Sequence, residues 1–185
     1  MRKLFQYGGI AASITLIAFG TGSVVMGVQG RDTVRSELAR EQIVGTPDST
    51  IPGQKVDTGS EAQAFAKVMR HHTLEATKGQ TYAQMGRFIG TDGKPTNDEK
   101  AAAINKQTGK PVENGLRNMW VTATALTTAL NTAYFAEQVA TFAIVMGIAL
   151  LLAGLGFAVL TLRALKPADA REESRAQTGS TAVAV

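Results

Sequence analysis

Residues 139–162 read VATFAIVMGIALLLAGLGFAVLTL, 24 positions without a single charge. As an α-helix this stretch is about 36 Å long, enough to cross a hydrocarbon core about 30 Å thick. It has no polar face, so it does not read as the amphipathic helix of a soluble core. Arg163, Lys166 and Pro167 follow it, and the proline is expected to end it. The stretch therefore reads as a membrane span, and the rest of the chain is placed around it.

A second uncharged run lies at the other end, from Leu4 to Gly30, after Arg2 and Lys3. It is looser, with Gly8, Gly9, Ser13, Thr15, Gly20, Thr21, Gly22 and Ser23 among its apolar residues. It reads as a retained first span. The alternative is a cleaved signal peptide, but the apolar block exceeds the usual 7–15 residues. Arg163, Lys166, Arg171 and Arg175 follow the second span, and no lysine or arginine lies between Val121 and Val139. Positive charge stays inside, so the C-terminus is expected in the cytoplasm. Two spans then return the N-terminus to the same side and leave residues 31–138 outside.

The composition sets wide limits. The chain has 185 residues, a net charge of +4 and no cysteine. Disulfides, thiolate catalysis and cysteine-ligated zinc are excluded. No basic run interleaves with aromatics, so no nucleic-acid partner is expected.

Between the spans, RDTVRSELAREQIV (31–44) alternates charges around Val34 and Leu38 and extends the first helix as a solvated rod. Residues 46–59, TPDSTIPGQKVDTG, carry loop chemistry. Ser60 with Gln63 forms a capping-box pattern that opens a helix whose stripe is Ala62, Phe65, Met69, His72 and Ala76, with Gly79 as its stop. Tyr82, Met85 and Phe88 fit either a short helix or a strand. Thr96 with Glu99 suggests another short helix through Ile104. The two Gly-Lys-Pro triplets at Gly93 and Gly109 read as two similar turns. From Leu116 the helical pattern runs unbroken into the second span, through Met119, Ala123, Leu126, Leu130, Ala133 and Ala136, for about fifty residues or 75 Å. Tyr134 and Phe135 suit the outer interface and Tyr7 the inner one.

The expected architecture is mainly α: a short N-terminus (1–3), a first transmembrane helix (4–30), a small helical extracytoplasmic domain (31–138), a second transmembrane helix (139–162) and a disordered cytoplasmic tail (163–185). Helical extensions continue out of the membrane.

Three groups of residues invite a chemical reading. His71 and His72, the only histidines, lie near Glu75 and are the candidate metal ligands. Adjacent residues point about 100° apart on a helix, and His72 with Glu75 supplies two ligands rather than three, so no metal is assigned. Glu137 lies at the outer edge of the second span, as an interfacial anchor or a helix–helix contact. Small residues share a face of each span: Ala11, Thr15, Ala18 and Gly22 on the first, Ala143, Gly147, Gly154 and Ala158 on the second. Such faces allow close helix packing, between the two spans or with another chain. There is no phosphate loop, nucleophile elbow or HExxH motif, and no charge deep in either span.

The chain resembles a group of small actinobacterial two-span membrane proteins. The resemblance runs through RDTVRSEL, IVGTPDSTIPGQKVDTGSEAQAFA, HTLEATKGQTYAQMGRF, GTDGKPTNDEKAAAI and WVTATALTTALNTAYFAEQVATFAIVMGIALLL. Members often carry the automatically assigned name aromatic ring-opening dioxygenase. An extradiol-type iron site needs two histidines and a carboxylate around one metal. In two-subunit enzymes of that kind the small subunit carries no iron ligands, so the resemblance transfers no catalytic residue.

The sequence thus leads to a bacterial plasma-membrane protein with no cofactor and no enzymatic role. Its expected work is structural: an accessory or scaffold protein that presents a helical ectodomain to another membrane protein or a second copy. The alternative is a ligand-sensing module with a pocket at Tyr82–Phe88 and the two turns. A metal-dependent dioxygenase-like enzyme is the third reading.

Overall fold

The computed structural model describes residues 2–165. The expected tail after Leu165 and the first residue lie outside the described residues. Three α-helices carry the fold: α1 (Arg2–Arg40), α2 (Gly59–Ala76) and α3 (Gly115–Leu165). The helix α3 is 51 residues long, as the unbroken pattern from Leu116 predicts. Helices α1 and α3 are both long and apolar enough to cross a membrane. Only 11% of the apolar window of each is buried, whereas the core helix of a soluble protein would be mostly covered. The chain forms two compact units, one from the segments up to Gln29 and from Ala140 onward, the other Gly30–Val139.

In the first unit α1 and α3 pack antiparallel, and small residues seven apart set the contact. Ser13, Gly20 and Gly27 on α1 are buried, as are Ala140, Gly147 and Gly154 on α3. A Cβ placed on Gly20 would stand 2.8 Å from the Gly147 carbonyl oxygen, and one on Gly147 would stand 2.7 Å from the Gly20 carbonyl oxygen. At Gly27 the same test meets the Ala140 carbonyl oxygen at 2.7 Å. The backbones therefore touch, as small residues permit in lipid, and the seven-residue spacing is that of a left-handed helix pair. The Ser13 and Thr21 hydroxyls donate to the carbonyls of Gly9 and Ile17 at 2.8 Å, which satisfies them inside apolar helix.

The small face expected on the first span lies away from α3, on the side where another chain would pack. Ala11, Thr15, Ala18 and Gly22 are exposed in this unit, and a Cβ on Gly22 would meet nothing within 4 Å. On α3, Gly147 and Gly154 lie in the contact, with Ala143 and Ala158 half-buried beside it.

In the second unit, α2 and the ends of α1 and α3 share a core of Leu38, Val56, Ala62, Phe65, Ala66 and Leu130. The loop between α1 and α2 folds back on itself: Gly45 donates to the Gln54 carbonyl and Val56 to the Ile43 carbonyl. The helix α2 starts two residues before the predicted box. Thr58 is its N-cap, and Glu61 returns the bond to the Thr58 N–H at 2.9 Å. Both Thr58–Glu61 and Ser60–Gln63 satisfy the pattern, and Gly59 decides between them because only that residue fits against α3. At the other end Lys78 takes φ +53 and Gly79 φ +77, and Gly79 donates to the Leu74 carbonyl at 2.7 Å, the Schellman arrangement.

Between α2 and α3 the chain makes a 3₁₀ turn (Tyr82–Gln84) and a two-stranded antiparallel ribbon, β1 (Phe88–Ile89) with β2 (Pro95–Thr96). The predicted helix from Thr96 to Ile104 is instead a three-residue 3₁₀ turn, Glu99–Ala101, capped by Asp98. Ile104 pairs with Pro111 across the second turn. Gly93 and Gly109, at φ +75 and +68, supply the left-handed positions of the two turns. Met85, Phe88, Ala102 and Trp120 are buried. Asn114 joins this region to α3: its Nδ2 donates to the Gly86 carbonyl, and its Oδ1 accepts from Leu116 N–H.

Candidate functional site

Glu137 is a junction of three helices. It is only 8% exposed. One carboxylate oxygen accepts from Arg35 Nε at 2.7 Å and lies 3.3 Å from Arg31 Nε. The other accepts the backbone N–H of Gly59 at 2.5 Å, at the start of α2. Burial alone would raise the carboxyl's pKa. The Gly59 N–H and the two guanidinium groups outweigh it and hold the pKa below the ordinary value. A charge-assisted bond from a first-turn N–H also opposes the helix dipole of α2 favourably. Of the two sequence readings of Glu137, the helix–helix contact is the one observed.

Beside this junction an apolar groove of about 500 Å³ runs between α1 and α3 within the second unit. Its floor is Val34, Leu38, Leu126, Leu130 and the small side chains Ala129 and Ala133. Thr33, Glu37 and Ala136 also line it, with Glu41 just beyond the end of α1. Glu37 pairs with Arg40 at 2.9 Å. A groove floored by small residues admits a helix backbone closely.

The histidines are not brought to one point. His72 Nε2 lies 2.6 Å from the Asp48 carboxylate, and His71 pairs with Glu75 at 3.3 Å one turn on. Their ring centroids are 6.2 Å apart. Among the described residues no three metal-ligating side chains gather.

The segment expected to line a sensing pocket is packed differently. Met85 and Phe88 are core residues, 2% and 5% exposed, and Tyr82 is stacked under the Arg117 guanidinium at 4.1 Å. Arg70 lies similarly over Trp120 at 4.2 Å. These pairs place cations on aromatic faces.

The chain matches no known protein family, no curated protein and no solved structure.

Proposed function

We propose that the chain is a plasma-membrane interaction protein, an accessory or scaffold subunit with both termini in the cytoplasm and residues 31–138 outside. The observation that carries this reading is the groove between α1 and α3. It is apolar, floored by alanines and bounded by the acidic residues Glu37 and Glu41. Its complement is a helix of a partner membrane protein, with small apolar residues facing the groove and lysine or arginine at the flank. The Glu137 junction supports the same reading, because it fixes α1, α2 and α3 together and so preorganises the groove walls. The asymmetry of arginine and lysine around the second span supports the orientation.

The test is purification of the tagged full-length chain in mild detergent, with mass spectrometry of proteins and metals. A stoichiometric membrane partner that is lost when Ala133 is changed to Phe is the expected result. Stoichiometric iron or zinc without a partner would overturn the reading and revive the dioxygenase-like enzyme. Reactivity of single introduced cysteines toward an impermeant maleimide checks the topology, because the native chain has none.

A further inference from the structure

A basic groove of about 400 Å³ lies between α2 and α3 and is lined by Ala66, Lys67, Arg70, Thr127 and Asn131. We propose that it is an anion site that takes a phosphate group. It shares no residue with the groove between α1 and α3 and does not depend on a partner protein.

Two cations stand on the α2 wall without a carboxylate. Lys67 and Arg70 are three residues apart, so they share a face of the helix. The residues three and four positions from Lys67 are Gln63, Ala64, Arg70 and His71, and those around Arg70 are Ala66, Lys67, Thr73 and Leu74. None is acidic, and the two cations repel each other. The α3 wall adds no acid, because no charged residue lies between Arg117 and Glu137. The carboxylates of these helices are engaged elsewhere. Glu61 accepts from the Asp57 and Thr58 N–H groups, Glu75 pairs with His71, and Glu137 holds Arg35 and Gly59. Among the described residues the ion pairs take Arg31, Arg35, Arg40, His71 and His72, and none takes Lys67 or Arg70.

Arg70 is also held in place. Its guanidinium lies 4.2 Å from the centre of the buried Trp120 ring. It makes no hydrogen bond among the described residues, so its N–H donors remain for an anion. A side chain already fixed loses less freedom on binding. Across the groove the Asn131 side chain likewise makes no hydrogen bond among the described residues, and its amide can donate. The Thr127 hydroxyl is spent on the Thr124 carbonyl at 3.1 Å. Donors from Lys67, Arg70 and Asn131 on two walls suit the several oxygens of a phosphate, and the guanidinium can meet two of them at once. The volume lies within the range of small-molecule sites, about 300–1,000 Å³, and leaves room for part of the group that carries the phosphate. That group is either a soluble molecule or a lipid headgroup.

Trp120 is the only tryptophan and Arg70 lies over it, so its fluorescence reports the groove. The full-length chain in phosphatidylcholine nanodiscs is titrated with sodium phosphate at constant ionic strength, with sodium chloride as the blank. A saturable change is expected with phosphate and not with chloride. Lys67→Gln should weaken it about tenfold, the loss of one charge-assisted bond. Asn131→Asp should abolish it by setting a carboxylate opposite the two cations. Lys55→Gln makes the same charge change at an exposed position outside the groove and should leave it unaltered. Nanodiscs containing phosphatidylglycerol separate the two sources. A spectrum changed by that lipid and restored by Asn131→Asp, with no response to free phosphate, assigns the lipid headgroup. Thermal melts establish that each variant folds. The proposal falls if neither source moves the Trp120 emission, or if Lys67→Gln and Asn131→Asp respond as the wild type does.

Discussion

Glu137 accepts the backbone N–H of Gly59 at 2.5 Å from 78 residues away in sequence. This contact ties the first residue of α2 to α3, and the Arg35 and Arg31 guanidinium groups bring α1 to the same carboxylate. Removing the carboxylate leaves two arginines and a helix-terminal N–H without their anion. Breaking a fully buried pair costs about 3–5 kcal/mol. The arginine side chains are 40% exposed, so water recovers part of this and Glu137→Ala should cost about 2 kcal/mol. Chemical denaturation of the wild type and the variant measures the difference. An unchanged midpoint would remove Glu137 from its place as the junction.

The same carboxylate sets a pH dependence. Its pKa in the fold lies below the ordinary 4.5, so its contribution is fully present above that value and is lost as pH falls through the folded-state pKa. Glu61 acts in the same direction: burial raises its pKa, but the bonds from Asp57 and Thr58 to its carboxylate prevail. Thermal melts between about pH 7 and about pH 3 should show the wild type losing stability on acidification more steeply than Glu137→Gln. Equal slopes would mean that the carboxylate contributes nothing through its charge.

Gly59 is required for a steric reason. A Cβ there would stand 2.9 Å from the Tyr134 Cα and 2.8 Å from the Glu137 carboxylate. A backbone atom of α3 cannot yield as a side-chain tip can, so Gly59→Ala should destabilise by about 1–3 kcal/mol. Ser60→Ala, one residue on and exposed, is the control and should have little effect. Similar losses from both would point to a general need for that helix start rather than to the contact with α3.

Lys78 offers a change in the opposite direction. It holds φ +53 in the left-handed position of the α2 terminus, a site that glycine fills without strain. Lys78→Gly should stabilise the chain by about 0.5–1 kcal/mol, the left-handed strain relieved less the added freedom of the unfolded state. A rise of the melting temperature checks it. A fall would mean that the lysine side chain contributes more than its backbone costs.

The helices were legible wherever one kind of signal spoke alone. The uncharged run 139–162 and the absence of glycine and proline before it gave α3 to within a residue or so at its start. Ends and faces were less legible because two solutions satisfied the same local rule. Thr58–Glu61 and Ser60–Gln63 are both capping boxes, and the contact of Gly59 with Tyr134 and Glu137 chose between them. Met85 and Phe88 have the character of pocket residues or of core, and only the fold of the ribbon puts them inside. Nothing local links His72 to Asp48, 24 residues earlier in a loop.

The first span poses the same ambiguity in a form that one experiment resolves. Its small residues form two stripes, Ala11, Thr15, Ala18 and Gly22 on one side, Ser13, Gly20 and Gly27 on the other. Composition does not rank them, but the seven-residue spacing of the second stripe matches Ala140, Gly147 and Gly154 on α3. Gly20→Leu would drive a side chain into the Gly147 carbonyl and should separate the helix pair, seen as a lower melting temperature in detergent and new protease sensitivity. Gly22→Leu meets nothing within 4 Å and replaces a poor helix former by a good one, so it should be neutral or stabilising for the isolated chain. If Gly22→Leu leaves the purified chain intact but removes a partner from its detergent extract, then the outward stripe is an intermolecular contact and the two stripes have divided the work between them. If Gly22→Leu weakens the isolated chain as much as Gly20→Leu does, the helix pair is rotated from the arrangement described, and the stripe of Ala11, Thr15, Ala18 and Gly22 is the one that meets α3.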